Sequence, residues 1–313
     1  MIKGFLTIIL RYGRPGRGLF GRCNAYFGTV EAQGKGTLHC HMLIWLEGHP
    51  SPQRLRDLMV DSDQYQRDLF LWLESIIKCE LLGTDAVVRE PNGVPLPCPQ
   101  YGDAHPGIWP APAIDEHSAE SFDQEYEWFV NEQVKAYNWH QHTDTCWKYL
   151  RRGDSRDDAH CRMRIDGTTR PHTCVDEVSG SILLRRLHPR IANYNDVVMF
   201  LMKANMDIKH IGSGQAAKAL VYYVTDYITK ASLATHVGLS ALLYAIQRRD
   251  EKFGAAFQAN VERHSQSALT MTVNSMLSRM EISHQQVMSY LIGSGDHYTS
   301  HRYRPLHFGT FDR

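Results

Sequence analysis

Apolar and polar positions along the chain fall into blocks with different periods, and each block predicts an element. The run Thr37-Leu38-His39-Cys40-His41-Met42-Leu43-Ile44-Trp45-Leu46 reads as a strand, preceded by Gly28-Thr29-Val30-Glu31-Ala32-Gln33. Gly34-Lys35-Gly36 between them reads as a hairpin turn. Ser51 as cap and Pro52 in the first turn start a helix that runs to about Lys78, with Leu55, Leu58, Leu69, Trp72, Leu73 and Ile76 as its apolar side. Residues 80–122 are Pro-rich and acidic, and Pro91 to Pro99 reads as a loop. Further on, the pattern predicts a helix from Phe122 to Tyr137, another from Tyr194 to Ala204, and a short strand from Asp207 to Ile211. Ser213 then caps a helix from about Gly214 to Ala231, and residues 232–293 look helical with no visible chemistry.

Two of these blocks carry candidate chemistry. Side chains alternate faces along a strand, so His39 and His41 point the same way and Cys40 points to the other face. Glu31 and Gln33 lie upstream, and a three-residue loop sets Glu31 opposite His39. Two imidazoles with one oxygen ligand and open positions suit a catalytic Mg2+ or Mn2+ better than a closed zinc site. The competing reading is two histidines that pack across strands. On the helix before Ala231, Tyr223 and Tyr227 are four apart and share a face, with Lys230 on a neighbouring part of it. Either they join an apolar stripe with Leu220, Val224 and Ile228, or one hydroxyl is a nucleophile that forms a covalent intermediate.

Taken together, Glu-x-Gln, His-hydrophobic-His and a helix with Tyr-x-x-x-Tyr and a lysine resemble the two-tyrosine HUH endonuclease domain of Helitron rolling-circle transposases. Gly28 to Gln33, Thr37 to Trp45, Ala216 to Lys230 and the late Tyr298 to Leu306 carry the resemblance, which extends from about Phe20 to the end. It implies an α+β fold on an antiparallel sheet, with the metal hairpin at its centre and helices packed on one face. By position, His39 and His41 become metal ligands, Glu31 or Gln33 the third ligand, and Tyr223 and Tyr227 the nucleophiles, with Lys230 neutralising phosphate or tyrosinate. The implied activity is nicking and rejoining of single-stranded DNA at transposon ends through a 5′-phosphotyrosine.

Composition changes this picture only in detail. The 313 residues are 43% hydrophobic and 22% charged, with zero formal net charge, which is ordinary for a globular protein. The balance hides an asymmetry. Residues 1–30 hold Lys3, Arg11, Arg14, Arg17 and Arg22 and no acid, whereas residues 80–132 hold eleven acids against the single base Arg89. The basic arm fits phosphate contacts and the acidic stretch does not. A second basic run from Lys148 to Arg170 includes Arg151, Arg152, Arg156, Arg162 and Arg164, diluted by four aspartates. Seven irregularly spaced cysteines do not make a secreted disulfide framework. The apolar run Gly4 to Leu10 is too short to span a membrane and lacks a signal-peptide cleavage site. Reduced thiols and a DNA substrate place the protein in the nucleus, or otherwise in the cytoplasm.

The segment between the two chemical blocks holds a third candidate. His140, His142, Cys146 and Cys161 are residue types that zinc prefers, with Cys98 or Cys174 as substitutes in a tetrahedral set, against a reading as unpaired loop residues. The expected organisation is therefore a metal-hairpin part at 1–80, an acidic, Pro-rich and zinc-binding insertion at 81–193, a tyrosine-helix part at 194–232 and a helical extension at 233–313. No Gly-x-x-x-x-Gly-Lys-Ser/Thr occurs, so the helicase that follows this domain in the family is expected to be absent. The alternative function is a catalytically inactive DNA-binding or structural remnant, and a third is a zinc-binding interaction module.

Overall fold

A computed structural model describes residues 1–32, 37–113, 119–212, 218, 222, 235–253, 270–276, 284–292 and 295–302. The architecture is α+β, with helices and two small sheets. The chain divides into two compact units, one made of Met1–Asn24 and Leu46–Val221, the other of Ala25–Trp45 and Tyr222–Arg313.

In the first unit, a helical N-terminus (Ile2–Gly4, α1) widens into a π-helix over Phe5–Ile9 and buries Leu6, Ile9 and Leu10. The single helix expected from Ser51 to Lys78 is instead two, α2 (Pro52–Asp61) and α3 (Asp63–Ile76). Ser62 breaks it. Its backbone is extended, its amide closes α2 on the Leu58 carbonyl, and its hydroxyl accepts the Tyr65 amide that opens α3. The next long helix, α4 (Ala119–Tyr137), packs on α5 (Asp196–Met202), which Asn195 caps by accepting the Val198 amide. Val130, Val134, Ile191, Tyr194 and Met199 form the core between them, with Leu81, Trp139 and Phe200 against its rim. Each such buried apolar side chain contributes about 1.5–3 kcal/mol.

Residues Asp207 to Ile211 are not a strand. Asn193 takes up the Ile208 backbone, accepting its N–H at its own carbonyl and donating its side-chain amide to the Ile208 carbonyl, so no ladder forms. A two-stranded antiparallel sheet pairs β3 (Cys174–Val175) with β4 (Ile182–Leu183). Several acids of the 80–132 stretch turn inward. Glu80 is buried, accepts from Arg185 and from the Cys79 amide, and so ties the end of α3 to the segment that leads back into the core.

The second unit holds a three-stranded sheet in the order β2-β1-β5, where β1 is Cys23–Ala32, β2 is Leu38–Leu46 and β5 is His297–Thr299. Among the described residues the hairpin is therefore not central as a whole: β1 lies in the middle and β2 at an edge. β5 pairs antiparallel to β1 with Phe27 opposite Thr299, Gly28 opposite Tyr298 and Thr29 opposite His297. Helices Thr235–Phe253 and His284–Leu291 complete what is described of this unit, with further helical positions at 270–276. No described helix is long and apolar enough to cross a membrane.

Candidate metal centres

The chain leaves α4 at Tyr137 and enters an extended stretch held against residues 190–192. Asn138 donates its side-chain amide to the Ala192 and Met206 carbonyls, Trp139 bridges Ile191, and the His140 amide donates to the Arg190 carbonyl at 2.7 Å. His140 and His142 therefore emerge from a fixed backbone, two residues apart on one side. Two short 3-10 turns supply the sulfurs. Asp144–Trp147 carries Cys146, and Asp158–His160, capped by Asp157, delivers Cys161. The Arg162 amide donates to the Cys146 carbonyl at 3.2 Å and staples one turn to the other.

The four side chains converge. Nε2 of His140 lies 3.2 Å from Nδ1 of His142, 3.7 Å from Sγ of Cys146 and 3.3 Å from Sγ of Cys161. All four ligand atoms fall within 4.8 Å of one another, and this is the one such group of three or more His, Cys, Asp or Glu among the described residues. Both sulfurs are buried. Cys98 and Cys174, the substitutes expected from sequence, are not in the group: Cys98 turns to the Pro99 carbonyl and Cys174 is exposed. Two nitrogens and two sulfurs at these separations fit a metal ion of the tetrahedral class.

The electrostatics favour the ligand form of the histidine and oppose that of the thiol until a cation is bound. Burial first, then the neighbouring His142 and Arg190, press the His140 pKa down to about 4, so its ring is neutral and free to coordinate at neutral pH. Burial raises the Cys161 thiol, the Ile165 and Met163 amides that donate to it work the other way, and nearby Cys146 raises it again. Two thiolates this close need a positive charge between them.

Behind the ligands stands a buried ion network. His142 turns Nε2 to Asp158 Oδ1 at 2.5 Å, which directs its Nδ1 at the cluster. Arg190, only 2% exposed, grips Asp158 through two hydrogen bonds of 2.8 and 2.7 Å and Glu90 through two more of 2.6 and 2.7 Å. The Arg190 hydrogen bonds hold the Asp158 carboxyl down at about 2. Glu90 is also lowered, its own burial opposing but its bonds to Arg190 prevailing. Trp147 packs against the His142 ring at a tilt of 38°, with centroids 4.8 Å apart.

The hairpin in the other unit has a looser arrangement. The His39 and His41 rings meet edge to face at 4.7 Å, and Glu31 Oε2 stands 3.9 Å from His41 Nε2. A Cβ at Gly28 would meet Met42 and Cys40 side chains, so the alternate residues Phe27, Thr29 and Glu31 share the face of the histidines. Burial lowers the His39 pKa while Glu31 works to raise it, and burial pushes the Cys40 thiol on the other face up to about 11. On the histidine face Thr29 is buried with Oγ1 lacking a hydrogen-bond partner, and His297 is set beside it by the β5 register.

This hairpin lies inside the stretch that similarity reaches. Residues 1–44 match the Helitron helicase-like domain at N-terminus. Over these residues the chain is similar to that domain, and the match takes in the residues ahead of the start at Phe20 expected from motifs. It ends before the His/Cys cluster. No curated protein and no solved structure matches the chain.

Gln33, Tyr223, Tyr227 and Lys230 lie outside the described residues. Of the helix expected to carry the tyrosines, Lys218 and Tyr222 are described, both helical and with exposed side chains. Sequence reasoning missed Asp158, Arg190 and Glu90 behind the cluster, and His297 beside the hairpin. A histidine followed by a run of aspartates gives no local sign of which one will orient it. His297 becomes visible only once β5 finds β1.

Proposed function

We propose that the protein is a Helitron-type transposase fragment that nicks and rejoins single-stranded DNA at transposon ends. The observation that carries this reading is the shared face of Glu31, His39 and His41 inside the stretch similar to Helitron proteins. A Mg2+ or Mn2+ held by His39, His41 and an oxygen of Glu31 or Gln33 would supply Lewis acidity at the scissile phosphate. The Tyr223 or Tyr227 oxygen attacks phosphorus, the bond to the 3′ oxygen breaks, and the proton given up by the tyrosine ends on the 3′ hydroxyl. The 5′-phosphotyrosine conserves the ester for rejoining, and the other tyrosine serves a second cleavage or strand transfer. Lys230 neutralises the phosphate or tyrosinate.

The His140/His142/Cys146/Cys161 cluster supports a structural zinc site within the same reading. Its four soft and borderline ligands leave no open position, which separates it from the hairpin. Zinc there orders a loop that has few apolar residues of its own.

A single-stranded oligonucleotide labelled at either end tests the chemistry. His39→Ala and His41→Ala should each abolish nicking in Mn2+ at undiminished fold, because an open three-ligand site does not survive loss of one ligand. Tyr223→Phe and Tyr227→Phe should each retain some 5′ adduct and the double variant none. Undiminished nicking by both histidine variants, or adduct that survives the double tyrosine variant, overturns the assignment of these residues, whereas binding without any nicking or adduct by the native chain favours the inactive DNA-binding remnant.

A further inference from the structure

Next to the His/Cys cluster the structure displays an aromatic ring where a solvated loop has no use for one. Tyr149 is 71% exposed. The Lys148 ammonium lies over its ring at 5.7 Å from the centroid and the Arg162 guanidinium over it at 5.2 Å. The arrangement is built rather than accidental, because Tyr149 follows ligand Cys146 by three residues, Arg162 follows ligand Cys161 by one, and the Arg162 amide to Cys146 carbonyl bond locks the two turns together. Arg162 meets Tyr149 because the cluster brings its two sulfurs together.

The charge around the ring is net positive. From Lys148 to Arg170 the loop holds seven Lys or Arg and four Asp. Each aspartate is already engaged by donors nearby: Asp154 by the Arg151 amide, Asp157 by Ser155 and His160, Asp158 by Arg190 and His142, and Asp166 by Thr168. Arg151, Arg152 and Arg164 meanwhile keep exposed side chains, Arg164 on a left-handed backbone with φ 57° between exposed Met163 and buried Ile165. An exposed aromatic face among unneutralised cations is the pairing that unpaired nucleotides require, since every base has a π-face to stack and every phosphate a charge to place.

We propose that Tyr149 is a stacking platform for an unpaired base of single-stranded DNA, with Lys148 and Arg162, which lie over the ring, giving way to the base and joining Arg151, Arg152 and Arg164 on the flanking phosphates. The inference rests on the reading of this chain as a single-strand DNA enzyme and names the part of the surface that holds the strand. The ring supplies affinity without base identity. The arginines supply the salt dependence.

The test is fluorescence anisotropy of the full zinc-loaded chain, carrying His39→Ala to prevent cleavage, with a labelled thymidine oligonucleotide. Tyr149→Ala should weaken binding roughly five- to hundredfold with an unchanged salt slope, since a stack and no phosphate contact is lost. Tyr149→Phe should bind as the parent does, and Tyr149→Leu, which keeps apolar bulk without a π-face, should bind as Tyr149→Ala does. Oligonucleotides with one abasic site moved along the strand should show a position where the parent loses affinity and Tyr149→Ala loses no more. Equal binding by Tyr149→Ala, by Tyr149→Leu, or an equal loss on intact and abasic strands at every position overturns the platform. Tighter binding of duplex than of single strand overturns it as well. Nicking by the native chain is read separately, so failure of the chemistry and failure of the platform are distinguishable.

Discussion

Arg190 is the residue around which the first unit's polar interior is organised. A guanidinium removed from water this completely is tolerable only with its charge and donors matched, and here two carboxylates take four of its N–H bonds. The same Asp158 orients His142, so a buried ion pair and a ligand ring share one carboxylate. Ligand histidines are fixed in tautomer and direction by such partners. Asp158→Ala should therefore lower zinc affinity about 10–100-fold in competition with a chelator, and Asp158→Asn, which still offers an oxygen to His142, should lower it less. Equal affinity in all three proteins would mean that Asp158 serves Arg190 alone. Glu90 sits in a Pro-rich stretch with little regular structure, and its bonds to Arg190 and to the Leu96 amide anchor that stretch to the core.

At the scale of elements, capping decided what periodicity left open. The apolar side read from Leu55 to Ile76 is real at its ends, where Leu55, Met59, Leu73 and Ile76 are buried, but Ser62 divides it. A serine between two aspartates competes for backbone donors better than it propagates a helix, which the apolar spacing alone does not register. Ser62→Ala should cost about 1 kcal/mol in denaturant unfolding through loss of the Tyr65 amide bond, whereas a neutral result would show that packing of α2 on α3 sets the break. The α4 helix begins three residues before the expected Phe122. Asp207 to Ile211 failed as a strand because the backbone of Ile208 is taken up by Asn193, through its main-chain carbonyl and its side-chain amide, and not by a strand.

At the scale of the molecule, the first unit has an apolar core between α4 and α5 and, beyond Tyr137, a loop region whose order rests on polar links. Metal removal should expose that difference. With a strong chelator, amide exchange from 140 to 165 should quicken by at least an order of magnitude while Val130, Val134 and Met199 stay protected, because the core does not need the ion and the loop does. Unchanged exchange in the loop would mean that Arg190 and its carboxylates hold it without metal. The amino-acid sequence by itself determined what short-range geometry controls: His39 and His41 on one face of a strand, the cap at Ser51, the irregular Pro91 to Pro99, and the residue types of a zinc set. The tertiary structure brought together the Cys146 and Cys161 that the sequence had put first and left out Cys98 and Cys174, and it alone put Asp158 and Arg190 behind His142, drew Arg162 onto Tyr149, and laid His297 beside Thr29. The reason is physical. Alternation and capping act over a few residues and leave a mark in the local pattern, whereas these pairings close when backbone far apart in the chain is brought together by burial and hydrogen bonding, and no local period encodes which partner arrives.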